Sequence, residues 1–179
     1  MRLGVQAASA LAALAFAFAS APARAQDAAA PRTDDPAFLT FQAGAFDVIQ
    51  QHKMAAAWAM EYRDDTKLWI FKPFGGMMMN SNAGLDAYIG ILLDIYMGRR
   101  IVAQLGFAPS IYYRGTGVDL GFPLEFRSSV EVAYRFDDRS RLGVQMYHLS
   151  NASLGWQNPG TEVLMLSYSV PVTRFTGKK

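Results

Sequence analysis

The 179-residue chain has no cysteine and only two histidines, His52 and His148. Without thiols it has neither disulfide stabilisation nor thiol chemistry. Charge of one sign is also missing. Two of the 17 basic residues, Arg2 and Arg24, lie in an N-terminal leader that has no acids, which leaves 15 basic against 15 acidic residues. With no net charge and no basic patch, nucleic acid is a poor partner. Beyond the leader there is no apolar run of about 18 residues, the length a spanning helix needs. The longest candidate, "YIGILLDIYMG", is broken by Asp94. Yet 51% of the residues are hydrophobic, so that apolar surface belongs in a core or on a β-barrel.

Residues 1–25 read as a secretory signal peptide. Arg2 precedes a long Ala/Leu/Phe run, and Ala23-Arg24-Ala25 supplies the small-residue cleavage pattern before Gln26. Residues 26–37 are a lead-in, and 38–179 form one domain.

That domain divides into eight strand-like runs, at 38–46, 54–63, 67–76, 86–97, 100–114, 123–136, 141–150 and 161–172. "DDTK", "GRR" and "DDRS" read as tight polar turns, and the connections near 47–53, 76–85, 115–122 and 151–160 as longer loops. Alternating short and long connections indicate an eight-stranded antiparallel barrel of the outer membrane, with short turns in the periplasm and long loops outside. The period-2 pattern agrees. In the sixth run Leu124, Phe126, Val130, Val132 and Tyr134 share one face, interrupted by Ser128, and Glu125, Arg127, Ser129, Glu131 and Arg135 share the other. An apolar exterior and a packed polar interior suit such a barrel. A soluble barrel or sandwich would alternate too, with its apolar face turned inward. Aromatics near strand ends, among them Trp58, Tyr62, Trp69, Tyr112, Tyr113 and Trp156, favour interfacial girdles.

Parity then locates the polar residues of "YHLSNASLGWQNPGTEV" (147–163). His148 and Ser150 continue the outward series of Leu142, Val144 and Met146, and Glu162 begins the outward series of Leu164 and Leu166. All three are expected on the lipid-facing wall at the extracellular rim, where charged groups are costly without a purpose. Ser and His two apart on one face lie about 7 Å apart at Cα. A serine needs a base to take its proton, an imidazole is the usual base, and a carboxylate orients it. Asn151 and nearby loop N–H groups are candidate oxyanion donors, and Gly155 and Gly160 allow close backbone approach. A nucleophile at that height would act on a lipid ester of the outer leaflet, with lipid A the candidate in a Gram-negative membrane. A purely structural polar rim and an outer-leaflet phospholipase are the alternatives.

The stretch "HLSNASLGWQNPGTE" (148–162) resembles the H-x-S-N and following N-x-G-x-E motifs of the outer-membrane lipid A 3-O-deacylases of PagL type. The resemblance implies an eight-stranded barrel and removal of the ester-linked 3-hydroxyacyl chain at position 3 of lipid A. It implies Ser150 as nucleophile, His148 as base, Glu162 as acid and Asn151 at the oxyanion. Lipid A, or lipopolysaccharide, is then the substrate, and no cofactor or metal is required.

Other features point less far. His52 reads as a solvated loop residue, and "FGGMMMNSNAG" (74–84) as a Gly/Asn-rich loop with an apolar methionine rim. Lys53, Lys72, Arg114 and Arg127 are candidates, by position, for contacts with lipid A phosphates.

Overall fold

A computed structural model describes residues 35–176, so the leader and most of the lead-in lie outside the described residues. Eight strands follow in order: β1 (Phe38–Phe46), β2 (Ala55–Arg63), β3 (Lys72–Asn80), β4 (Leu85–Met97), β5 (Ile101–Tyr113), β6 (Leu124–Arg135), β7 (Arg141–Ser150) and β8 (Thr161–Pro171). Each pairs antiparallel with its neighbour, and β1 pairs with β8, so the sheet closes into a barrel with no free edge. A single helical turn, α1 (Thr173–Thr176), follows β8.

The alternation in the sequence becomes two faces. Val144, Leu166, Ile89 and Phe107 are among the large apolar side chains left exposed on the outer wall, whereas Glu61, Arg63, Arg127 and Glu131 are buried inside. An exterior of this kind suits hydrocarbon, and the soluble alternative, which turns its apolar face inward, does not fit.

The interior holds its charges in pairs. Arg63 bonds Glu61 through Nε and Glu131 through Nη2, each at 2.6 Å. Towards the rim that carries the chain ends of the barrel, called here the lower rim, Lys72 meets Asp94 at 3.0 Å. There Asp35 bridges Arg135 and Arg141. Arg127 is sandwiched between the rings of Tyr88 and Tyr147, 4.2 and 3.7 Å from their centroids. The upper end is different: Phe46, Tyr112, Val118, Leu120, Leu149 and Val163 belong to an apolar cluster under the loops. Buried polar residues, Asp47, Asp86, Glu125 and Thr161 among them, lie beside that cluster, so the upper interior is mixed.

The third strand departs from the sequence expectation of 67–76. Leu68 and Phe71 exchange backbone hydrogen bonds across a tight turn with Trp69 at φ 64°, which removes residues 67–71 from the ladder. The connection 64–71 is consequently long, and 81–84 between β3 and β4 is short, the reverse of the expected order at this hairpin. "GGMMM" is strand rather than loop. Met77 and Met79 face outward and Met78 is fully buried. Gly76 has no Cβ because one would lie 2.5 Å from the Met60 carbonyl and 2.9 Å from the Tyr88 hydroxyl. Tyr112 also differs: it points inward, stacked on Phe46, and is not part of an outer girdle.

Candidate active site

The site stands on β7 and β8. Their odd-numbered residues anchor them: Tyr147, Leu149 and Val163 are buried in the upper core. With those side chains committed inward, His148, Ser150 and Glu162 must project from the other face.

His148 and Glu162 are register partners across the β7–β8 ladder. His148 Nδ1 lies 3.0 Å from Glu162 Oε1. A proton on Nδ1, donated to the carboxylate, leaves Nε2 as the acceptor that a general base requires. The imidazole side chain is 37% exposed and the carboxylate 5%. Glu162 is therefore covered, not open to lipid as its parity alone implies. The imidazole lies against it, and the backbone N–H of Val48 bonds the Glu162 carbonyl from the β1–β2 loop. A buried carboxylate against an imidazole is an orienting partner more than a solvent-exposed charge.

Ser150 ends β7 on the same outward row, one pleat above His148. Among the described residues its hydroxyl has no hydrogen bond to the imidazole, so the structure brings two of the three into bonding contact and sets the third beside them. Following the β7–β8 register two residues on, Gly160 faces Ser150. A Cβ at Gly160 would sit 2.7 Å from His148 Cε1 and 3.3 Å from Nε2. The missing side chain makes room for the far edge of the ring, the edge that carries Nε2, on the Ser150 side.

Asn151 takes a different place from the one expected. It follows Ser150, so its side chain turns to the opposite face and is fully buried. Its Nδ2 donates both hydrogens, to the Leu120 carbonyl at 2.6 Å and the Gln157 carbonyl at 2.7 Å. Its backbone N–H goes to Asn158 Oδ1 at 3.0 Å. No side-chain donor is left for an oxyanion, and Asn151 clamps the β5–β6 and β7–β8 loops together. Ala152 and Ser153 then turn the chain at φ 52° and 65°.

Below His148 the outer wall has a hollow of about 220 Å³, lined by Leu105, Gly106, Ser128, Val130, Met146 and His148 itself, among others. Ser128 is the register partner of His148 on β6. Its small side chain opens the hollow between the apolar neighbours Leu105, Val130 and Met146. Sequence reasoning noticed Ser128 only as a break in an apolar row. Its position beside His148 needed the strand register.

Of the proposed phosphate contacts, Lys72 and Arg127 are ruled out by burial inside the barrel. Lys53 and Arg114 stand on the upper loops. His52 is exposed in the β1–β2 loop, and among the described residues no group of three or more metal-ligating side chains occurs.

Fold and site together define a class: a closed eight-stranded barrel of membrane-spanning type with a histidine–carboxylate pair built on its apolar outer wall. The particular family follows from comparison. The profile of the Lipid A 3-O-deacylase (PagL) family matches residues 52–171, and the chain belongs to that family. The crystal structure of the outer membrane enzyme PagL superposes with a TM-score of 0.58 at 20% identity, covering 75% of this chain and 99% of that one. No curated protein matches the chain in sequence.

Proposed function

We propose that the protein is an outer-membrane esterase that removes the 3-hydroxyacyl chain from position 3 of lipid A, with its site at the outer leaflet. The observation that carries this reading is the His148 Nδ1–Glu162 Oε1 bond of 3.0 Å on the same outward row as Ser150.

In this mechanism Ser150 Oγ attacks the ester carbonyl and its proton passes to His148 Nε2. Glu162 holds the ring in the required tautomer and stabilises the imidazolium. The tetrahedral oxyanion is met by the backbone N–H groups of Ala152 and Ser153, since the side chain and N–H of Asn151 are spent within the loops. Collapse expels the sugar hydroxyl, which takes the proton back from His148. Water then cleaves the acyl-serine, again through His148, and releases a free fatty acid. The 220 Å³ hollow beside His148 gives one acyl chain a place along the wall without leaving the hydrocarbon layer.

Mass spectrometry of lipid A from cells making the wild-type protein or Ser150→Ala tests this. Loss of one 3-hydroxyacyl mass in the first and not the second is expected. Identical lipid A from both, with the barrel folded in the outer membrane, overturns it.

A further inference from the structure

The upper loops, 47–54, 81–84, 114–123 and 151–160, contain only two Lys or Arg residues, Lys53 and Arg114. Arg114 lines a hollow. This second hollow, of about 260 Å³, lies at the base of the β5–β6 loop and is bounded by Tyr113, Arg114, Asp119, Phe122 and neighbouring residues. Tyr113 and Phe122 are exposed beside it.

The guanidinium is held in place. Asp119 Oδ1 accepts the Gly121 N–H at 2.9 Å, and Oδ2 accepts Arg114 Nη1 at 2.6 Å. One of its five N–H donors is thereby used to fix orientation, and the others remain for a ligand. The pair is exposed on both sides, so its own attraction is weak, and solvent screens the repulsion between the Asp119 carboxylate and an incoming anion.

The same loop is tied to the reaction site. Gln157 Nε2 donates to the Asp119 carbonyl at 3.0 Å, and Asn151 Nδ2 donates to the Leu120 carbonyl. Arg114's loop is thus pinned to the residue directly after Ser150. Pro109 pairs with Phe126 and Phe126 with Ser150, so Tyr113 stands two strands aside from Ser150 and four residues further up. That offset is about 10 Å across and about 13 Å along the wall. It sets Arg114 further up the wall than Ser150, on the side of the upper loops.

We infer that Arg114, positioned by Asp119 and flanked by Tyr113 and Phe122, binds a phosphate monoester on the sugar headgroup of the substrate and so registers the scissile ester over Ser150. The inference rests on the deacylase reading for the identity of the substrate, but not for its test. Arg114 suits this role because a guanidinium binds phosphate through two parallel hydrogen bonds, which fix direction as well as affinity.

The test is binding, measured by fluorescence of Trp156, which is 77% exposed on the adjoining loop. The full-length Ser150→Ala protein in detergent micelles is titrated with lipid A and with the same lipid A dephosphorylated. Expected are tighter binding of the phosphorylated form, and loss of that preference by about ten-fold or more when Arg114→Ala is added. Arg114→Lys should restore part of it. Competition by inorganic phosphate, lost with Arg114→Ala, would show that the phosphate group itself is recognised. Preference for the phosphorylated form without such competition would assign recognition to the phosphate as carried on the headgroup. Equal binding of both lipids, or an equal loss for both in Arg114→Ala, overturns the inference. Because the nucleophile is absent from every sample, failure of the deacylase reading shows separately, as unaltered lipid A from wild-type cells.

Discussion

His148 and Glu162 face each other across the β7–β8 ladder, 14 residues apart in sequence and 3.0 Å apart between Nδ1 and Oε1. The hairpin that joins them has Ser150 at one end and Gly160 opposite it. The nucleophile, base and acid of the proposed mechanism, and the space for the base, thus come from one supersecondary unit. The buried residues next to them, Leu149 and Val163, hold that unit against the upper core.

Replacing Glu162 by Gln keeps the shape and removes the charge. The amide can present its NH2 group to Nδ1 and favour the wrong tautomer, and it cannot stabilise the imidazolium. A fall in kcat of roughly 10²–10⁴ is expected, with KM little changed. Steady-state kinetics on purified lipid A in micelles checks it, and an unchanged kcat removes Glu162 from the mechanism.

Gly160→Ala puts a methyl group within 2.7 Å of the imidazole and an L side chain at φ 67°. The strain costs about 1–2 kcal/mol, and the ring must shift away from Ser150. The variant should still fold, with a slightly lower melting midpoint and a kcat loss far larger than the stability change. Equal catalytic rates in the two proteins would show that the ring does not depend on this gap.

Asn151→Ala leaves the Leu120 and Gln157 carbonyls without their donor. Each lost partner costs about 1–3 kcal/mol where the group stays buried. Hydrogen exchange in residues 114–123 and 151–160 should accelerate together, because one side chain joins both loops. Faster exchange in only one loop would contradict the clamp.

Glu131→Ala removes a carboxylate bonded to Arg63 inside the barrel, where both side chains are 2% exposed. Leaving a buried guanidinium short of its partner costs about 3–5 kcal/mol. The heat-modifiable gel shift should occur at lower temperature, while the folded fraction turns over at the wild-type rate. A wild-type midpoint would mean that Glu61 alone satisfies Arg63.

Much of this protein is set by the chain itself. Side chains alternate across any strand, so the outward row of Leu142, Val144, Met146, His148 and Ser150 and the inward row of Glu125, Arg127 and Glu131 follow from sequence parity. The number of strands and the bounds of β1 and β7 follow from the same pattern. Other features arise only when separate strands meet. Ser128 comes beside His148 through the β6–β7 register, and a local turn at Leu68–Phe71 displaces β3. Arg127 and Lys72 find their partners inside a closed lumen rather than at a lipid phosphate. Asn151, inward by parity, is committed to carbonyls 31 and six residues away. Glu162 is buried because the imidazole beside it and the β1–β2 loop cover it. Parity is a property of one strand, whereas register, closure and burial depend on contacts between distant residues, which only the assembled barrel decides.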